Sequence, residues 1–348
     1  MPRFSPQALR ELGYRLFQAA GCRPEDARAV VDHLVESSLF GHDSHGAIRF
    51  YEYAQGIRDG RFNPGARPKV VRERPCSAVV DGGGALGQVG AAFATRIAMD
   101  KARDHGIATV TLRNTCHIGR VGAYPLMAAR AGFMAQLFAN AGHLGAQVIP
   151  FGGREGRLST NPMAFAAPRR GHEPLLLDMT TSVVAEGKVR VAINRRESIP
   201  EGWAVDAQGR STTDPRQVKS DPPGALLPLG GVVAHKGYGL SMMVEVMGGA
   251  VGGEGCAAGA PKFVSNGVLL TVYHIEHFTS LETYYDELDA MIAHIRTSRL
   301  APGFQEILLP GEPEFRSARR REAEGIEVDE ETWGQIRRQM DYFGVGKT

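Results

Sequence analysis

The chain has no long apolar run, few cysteines and no dominant sign of charge, and each shortage excludes a class of protein. Nothing in it reaches the roughly 18 consecutive apolar residues that a membrane-spanning helix needs, so no membrane span is expected. The opening residues, Met1-Pro2-Arg3-Phe4-Ser5, lack the apolar stretch of a signal peptide. Cys22, Cys76, Cys116 and Cys256 lie far apart and form no Cys-x-x-Cys pair, which predicts reduced thiols in a cytoplasmic protein. There are 40 basic against 38 acidic side chains. That balance argues against nucleic acid or an anionic membrane as a partner. The local basic run Arg319-Arg320-Arg321 reads as a solvated helix face.

What is present suffices for a substantial core. The 348 residues are 43% apolar, enough for two domains or one large one. Helices are expected at both ends. Ser5 can cap one that carries Leu9, Leu12 and Leu16 on one face. Pro24, Glu25 and Asp26 open a second, stopped by Gly41, and a third runs from Ala47 to about Arg58. Strands are expected at Ala78–Val80, Ile107–Leu112, Phe133–Phe138, Leu175–Leu177 and Val268–Val272. Helices are expected at 91–104, 121–131, 239–247, 281–295 and 331–342, and residues 194–231 read as loop. The sum is a mixed α/β protein with helical ends.

Gly82-Gly83-Gly84-Ala85-Leu86-Gly87 satisfies G-x-G-x-x-G between a strand and a helix, the setting of a dinucleotide fingerprint. The acidic residue needed at the end of the next strand is missing, because that strand ends in Arg113 and Asn114. A plain strand-to-helix turn is the better reading. There is also an internal echo: Gly106, Asn114, His117 and Gly119 share their spacing with Gly132, Asn140, His143 and Gly145. Were it more than coincidence, it would place two similar loops on one edge of a sheet.

Three histidines sit beside glycines at the ends of patterned segments: His45, His117 and His143. Histidine titrates near neutral pH and suits proton transfer. In Asp43-Ser44-His45-Gly46, with Arg49 close behind, an imidazole could move a proton while the guanidinium pairs a carboxylate. On residue types alone, Asp43 or Ser44 capping the next helix fits equally well. Thr160 and Asn161 could bind small polar groups or merely turn the chain before Pro162. Asp178, followed by Met179, Thr180, Thr181 and Ser182, suits cofactor ribose or amide groups, or a helix cap. Lys188 follows, and Lys236, in His235-Lys236-Gly237-Tyr238-Gly239, could meet a phosphate or simply be solvated. Cys116 beside His117 lacks an orienting partner for a thiol nucleophile. His42-x-x-His45 and His274-x-x-His277 lack a third ligand, so no metal is expected.

Together these stretches resemble the malate/L-lactate dehydrogenase family that is unrelated to the Rossmann-type lactate and malate enzymes. The matching segments are Gly41–Arg49, Asp81–Gly87, His117-Ile118-Gly119, Phe151-Gly152-Gly153, Thr160-Asn161-Pro162, Asp178–Ser182, Ala185–Lys188, Pro200–Trp203, Lys236–Leu240 and Pro310-Gly311-Glu312, in the family's order. The resemblance implies a non-Rossmann NAD(P)-binding mixed-sheet domain, expected at residues 121–284. A helical domain built from both chain ends is expected at residues 1–120 plus 285–348. It further implies a homodimer that uses NAD or NADP to interconvert a 2-hydroxy acid and its 2-oxo acid, a small carboxylate substrate. By the same resemblance His45, assisted by Ser44, is the acid/base, and His117 is a second candidate. Arg49 and Thr160 hold the substrate, with Lys188 nearby. Asn140, Asp178, Met179, Thr180, His235, Lys236, Gly311 and Glu312 line the cofactor site. Imino-acid-reducing members carry a carboxylate near Lys188, so lysine there favours a hydroxy acid over the alternative of a cyclic imino acid. A non-catalytic dinucleotide-binding protein is the reading from another class. Thr115-Cys116-His117 departs from the family's frequent Ser-Asn-His, and Ser159 replaces a glycine before Thr160.

Overall fold

The computed structural model describes residues 1–141, 146–258 and 265–345; His143 and the glycines flanking its motif lie outside the described residues. In chain order the elements are β1 (Arg3–Phe4), α1 (Pro6–Ala19), α2 (Pro24–Leu39), α3 (Ile48–Arg58), β2 (Lys69–Arg74) and β3 (Ser77–Asp81). Then come α4 (Gly87–His105), β4 (Ile107–Arg113), α5 (Ala123–Arg130), β5 (Met134–Asn140), β6 (Met163–Arg169) and β7 (His172–Met179). Next are α6 (Glu186–Arg195), β8 (Ala204–Val205), β9 (Ser211–Thr212), β10 (Ala225–Leu226) and α7 (His235–Val244), which continues as a π-helical stretch, Glu245–Val251. The chain closes with β11 (Gly267–Tyr273), α8 (Leu281–Arg296), α9 (Glu312–Glu324), β12 (Ile326–Glu327) and α10 (Glu330–Tyr342).

The first helices start where local chemistry puts them. Ser5 Oγ accepts the Ala8 amide at 3.1 Å and Pro6 opens α1. Pro24, Glu25 and Asp26 fill the first turn of α2. The helical layer joins both chain ends: β1 pairs with β12, and the Phe4 and Trp333 rings meet at 4.8 Å. Leu9, Leu16, Val31, Leu34, Phe50 and Ile336 share one core there.

One seven-stranded mixed sheet, ordered β2-β3-β4-β11-β5-β6-β7, forms the centre. Among the described strands of this sheet only β3 and β4 are parallel neighbours. A second core of small residues lies between this sheet and α4 and α5, with Ala94, Ala98, Ala128, Val110, Leu137 and Leu270 in it. A third, smaller core sits under the three-stranded sheet β10-β8-β9. β3 and β4 lie before residue 121 and β5 to β7 and β11 after it, so the expected domain boundary runs through the central sheet.

The echo between Asn114 and Asn140 has a structural counterpart. β4 and β5 both pair antiparallel with β11, one on each side, so they run the same way. The ends of β3, β4, β5 and β7 and the start of β6 therefore gather at one sheet edge. That edge receives the His117 loop, the Thr160 segment and Asp178.

The glycine-rich turn is no phosphate cradle. The Gly82 and Gly84 amides donate to the carbonyls of Arg113 and Asn114 at 2.9 and 2.8 Å, and the Ala85 amide to Gly82 at 3.0 Å. Asp81 Oδ1 takes the Gly83 amide at 2.8 Å. With the four amides from Gly82 to Ala85 spent within the protein, the glycines of the turn have none to offer a pyrophosphate. The basic run keeps its expected solvated face at two of its three arginines. Arg319 and Arg320 are exposed on α9, but Arg321 turns inward to pair with Asp43 and the Ser38 carbonyl.

Candidate active site

A cleft of about 660 Å³ opens at this sheet edge, roofed by the loop after α2 and by α6. Its lining includes Ser44, His45, Arg49, His117, Thr160, Asp178, Met179, Thr180 and Lys188. Asn140, His235, Lys236, Gly311 and Glu312 do not line it. Asn140 is fully buried, its amide donating to Glu245 Oε2 and the Gly255 carbonyl, both at 2.9 Å. His235 and Lys236 lie exposed at the start of α7. Gly311 caps α9 and Glu312 pairs with Arg296, while the next residues, Pro313 and Glu314, do reach the cleft.

The first histidine loop is a single 3-10 turn, Asp43–His45, between α2 and α3. Asp43 is held by Arg321, and the amide of Ala47, the residue before α3, is taken by Ser38 Oγ at 3.0 Å. Neither Asp43 nor Ser44 caps α3, so the turn is left to present its side chains. Ser44 Oγ lies 3.0 Å from His45 Nδ1. Arg49 is clamped: Nε donates to the Ser44 carbonyl at 2.8 Å, and Nη1 pairs with Glu52, which also takes Arg190 at 2.8 Å. Gly187, in the first turn of α6, packs against Ser44, where a Cβ would lie 3.0 Å from Oγ and closer still to the serine Cβ.

The second loop follows β4. At Gly119 φ is +78°, and an added Cβ would strike the His33 ring, so only glycine fits. His33 Nε2 accepts the Arg120 amide at 2.9 Å, which pins the loop from behind. The His45 and His117 rings stack with centroids 5.4 Å apart and planes 25° apart. Both are held well below the ordinary imidazole range, first by burial and next by the Arg49 charge. Two neutral imidazoles therefore face each other beside a guanidinium. The Cys116 thiol is pushed up to about 12 by burial, which leaves it protonated and unsuited to nucleophilic attack.

Sequence reasoning missed Arg120, directly after His117-Ile118-Gly119. It is 2% exposed and lines the cleft. Nη2 donates to Glu36 at 2.8 Å, Nη1 stands 3.6 Å from Asp178, and the group lies over the Phe40 ring at 4.5 Å. Burial works to raise the Glu36 carboxyl, and Arg120 and Arg130 outweigh it, holding it below the usual range. Among the described residues Arg120 Nε and Nη1 have no hydrogen-bond partner. A buried guanidinium with spare donors calls for an anionic or polar ligand. Its only sequence signal was an arginine directly after the His117-Ile118-Gly119 motif.

Thr160 is placed by what surrounds it. Its carbonyl accepts the Thr181 amide at 3.0 Å and hydroxyl at 3.1 Å. The neighbouring Asn161 donates to Glu245 Oε1 at 2.8 Å. Glu245, at the start of the π-helical stretch, thus braces Asn140 and Asn161 together, a role invisible in the sequence. Among the described residues no group of three or more His, Cys, Asp or Glu side chains could hold a metal ion.

Known proteins share this fold over nearly the whole chain. The family model for malate/L-lactate dehydrogenase matches residues 4–337. Malate dehydrogenase of Pyrococcus abyssi is 40% identical over 326 residues, covering 90% of this chain and 87% of that one. The structure of malate dehydrogenase from Pyrococcus horikoshii superposes with a TM-score of 0.89 at 36% identity, covering 99% and 96% of the two chains. Delta1-piperideine-2-carboxylate reductase from Pseudomonas syringae superposes at 0.83 with 28% identity, covering 97% of this chain and 100% of that one.

Proposed function

The chain belongs to the malate/L-lactate dehydrogenase family, and from that premise we propose that this cleft interconverts a 2-hydroxy acid and its 2-oxo acid with NAD or NADP. The observation that carries the proposal is the neutral, stacked His45–His117 pair beside Arg49. Arg49 Nη2 has no partner among the described residues and is available to a substrate carboxylate. Pairing with that carboxylate offsets the positive charge that depresses both histidines. His45, neutral at rest and oriented by Ser44, then accepts the proton of the C2 hydroxyl during oxidation and returns it during reduction. Thr160 and Lys188 border the same space and position the rest of the acid.

The cleft fits a nicotinamide dinucleotide. Arg120 offers buried unpaired donors, and Asp178, Met179 and Thr180 follow at a strand end. Bound there, the cofactor supplies the two-electron exchange at C2. His235 and Lys236 add exposed cationic and polar groups outside the cleft for its phosphates. Asn140 acts as a brace, and Gly311 and Glu312 act through Pro313 and Glu314. Glu186, the carboxylate nearest Lys188 in sequence, is tied to Lys219 at 2.8 Å, which favours a hydroxy acid over a cyclic imino acid. Unpaired thiols fit a reducing, cytoplasmic setting. No helix among the described residues is long and apolar enough to cross a membrane. The exposed Leu240, Met242, Met243 and Val246 favour a homodimer, which light scattering after size exclusion tests by the solution mass.

The direct test follows reduced-nicotinamide absorbance with NADH and NADPH against pyruvate, oxaloacetate, glyoxylate derivatives and cyclic imines. Turnover of at least one 2-oxo acid is expected. No turnover with either cofactor across the panel contradicts the proposal.

A further inference from the structure

A buried polar chain lies behind the two histidines, and the proton path through His45 makes no use of it. Tyr53, one turn past Arg49 on α3, is 2% exposed, and its hydroxyl lies 2.8 Å from His117 Nδ1. Gln88, in the first turn of α4, is 1% exposed, and its Nε2 donates to the Tyr53 oxygen at 3.0 Å. The Gly119 amide also donates to His117 Nδ1, at 3.3 Å. A ring nitrogen that accepts from a backbone N–H carries no proton of its own, so the hydrogen of the neutral ring sits on Nε2. With Nδ1 bare, the 2.8 Å contact is one that the Tyr53 hydroxyl donates, while the Tyr53 oxygen accepts from Gln88.

We propose that Tyr53 and Gln88 are positioning residues that lock His117 as an Nε2–H imidazole, a standing hydrogen-bond donor to the substrate's C2 oxygen, and so leave proton gain and loss to His45. Within this lock His117 is a poor base. Nε2 has no lone pair to offer, and protonating Nδ1 would expel both the Tyr53 and the Gly119 donors. A fixed donor stabilises negative charge on the C2 oxygen during reduction without itself ionising. This explains why two stacked histidines need not compete for one proton. The identity of the oxygen rests on the dehydrogenase reading. The tautomer does not.

The test uses the full-length protein labelled with ring-15N histidine, with His117 assigned by its absence in His117→Gln. Two-bond nitrogen–proton correlation spectra are expected to show His117 neutral and protonated on Nε2 between about pH 6 and 8. In Tyr53→Phe, loss of a donor that favours the neutral ring is expected to make His117 titrate at higher pH. In the same variant kcat is expected to fall about tenfold with little change in KM, since Tyr53 does not reach the carboxylate clamp. Gln88→Leu, which keeps the tyrosine hydroxyl, is expected to move both readouts the same way but less. A wild-type His117 protonated on Nδ1, or a Tyr53→Phe protein with unchanged His117 titration, overturns the proposal. Should Tyr53→Phe fail to fold, the wild-type tautomer and the Gln88→Leu titration decide. If no 2-oxo acid is turned over, the dehydrogenase reading fails while the spectra still test the lock.

Discussion

Replacing Gly187 by alanine is expected to cost turnover far more than stability. Gly187 lies in the first turn of α6, and its backbone is not in the left-handed region, so alanine is acceptable to the chain itself. The substitution favours the helix by about 1 kcal/mol. The obstacle is Ser44, because the new Cβ would sit 3.0 Å from its Oγ and inside hard contact with its Cβ. Ordinary carbon contacts lie near 3.5–4.0 Å, so α6 or the Ser44–His45 turn must move by roughly 1 Å. Overpacking of this kind costs about 1–3 kcal/mol, which the helix gain partly offsets. A displacement of about 1 Å at an acid/base group costs about 100-fold in rate, or roughly 2.7 kcal/mol of barrier. The assay pairs urea denaturation with steady-state reduction of the best 2-oxo acid. Stability within about 2 kcal/mol of wild type and kcat/KM down about 100-fold are predicted. An activity within twofold of wild type would refute the claim that α6 presses on the catalytic turn.

Three further outcomes follow from the same geometry. His45→Ala is expected to abolish turnover while cofactor binding, read by fluorescence titration of reduced nicotinamide, stays near wild type; collapse of binding with slow residual turnover would exchange the roles of His45 and His117. Arg49→Lys cannot keep both the Ser44 carbonyl and Glu52 while offering a second donor, so KM is expected to rise about 10- to 100-fold with a smaller change in kcat, and an unchanged KM refutes the clamp. Acid should unfold the protein through His33, whose pKa is pushed down to about 3 by burial and then by Arg120. The unfolded chain binds that proton near pH 6.5 and the folded one does not. The stability it lends is complete above that pH and is lost as pH falls towards 3, so about 2 kcal/mol goes between pH 7 and pH 5. Equal urea midpoints at the two pH values would contradict it.

The fold was legible wherever one residue period dominated. α1 and α10 carry apolar stripes with side-chain caps, α2 a stripe opened by Pro24 and two acids, and β4, β5 and β11 are apolar runs bounded by glycine or polar residues. β6 was missed because its alanines and Pro168 carry no strand pattern, and its place is set by pairing with β5 and β7. α9 was missed because Phe315 is its only buried residue among many charges. In the 194–231 stretch, read as loop, three two-residue strands meet only through tertiary contacts. At the site, His45, His117 and Arg49 were visible as chemistry-bearing residue types in short motifs. The groups that orient them were not. Gln88 and Glu245 come from distant segments, while Glu52, Tyr53 and Arg120 lie within four residues of Arg49 or His117, and each has an ordinary surface or core reading until the fold brings it to its partner.

The central claim is that the cleft exchanges two electrons directly between nicotinamide and the C2 carbon of a 2-oxo acid. It is tested most directly by placing deuterium at the transferable C4 position of the reduced cofactor and analysing the product by mass spectrometry. One deuterium per molecule, retained at C2 of the 2-hydroxy acid and absent with His45→Ala, is predicted. A 2-hydroxy acid formed without label at C2, or no product from any 2-oxo acid with either stereospecifically labelled cofactor, would contradict the account.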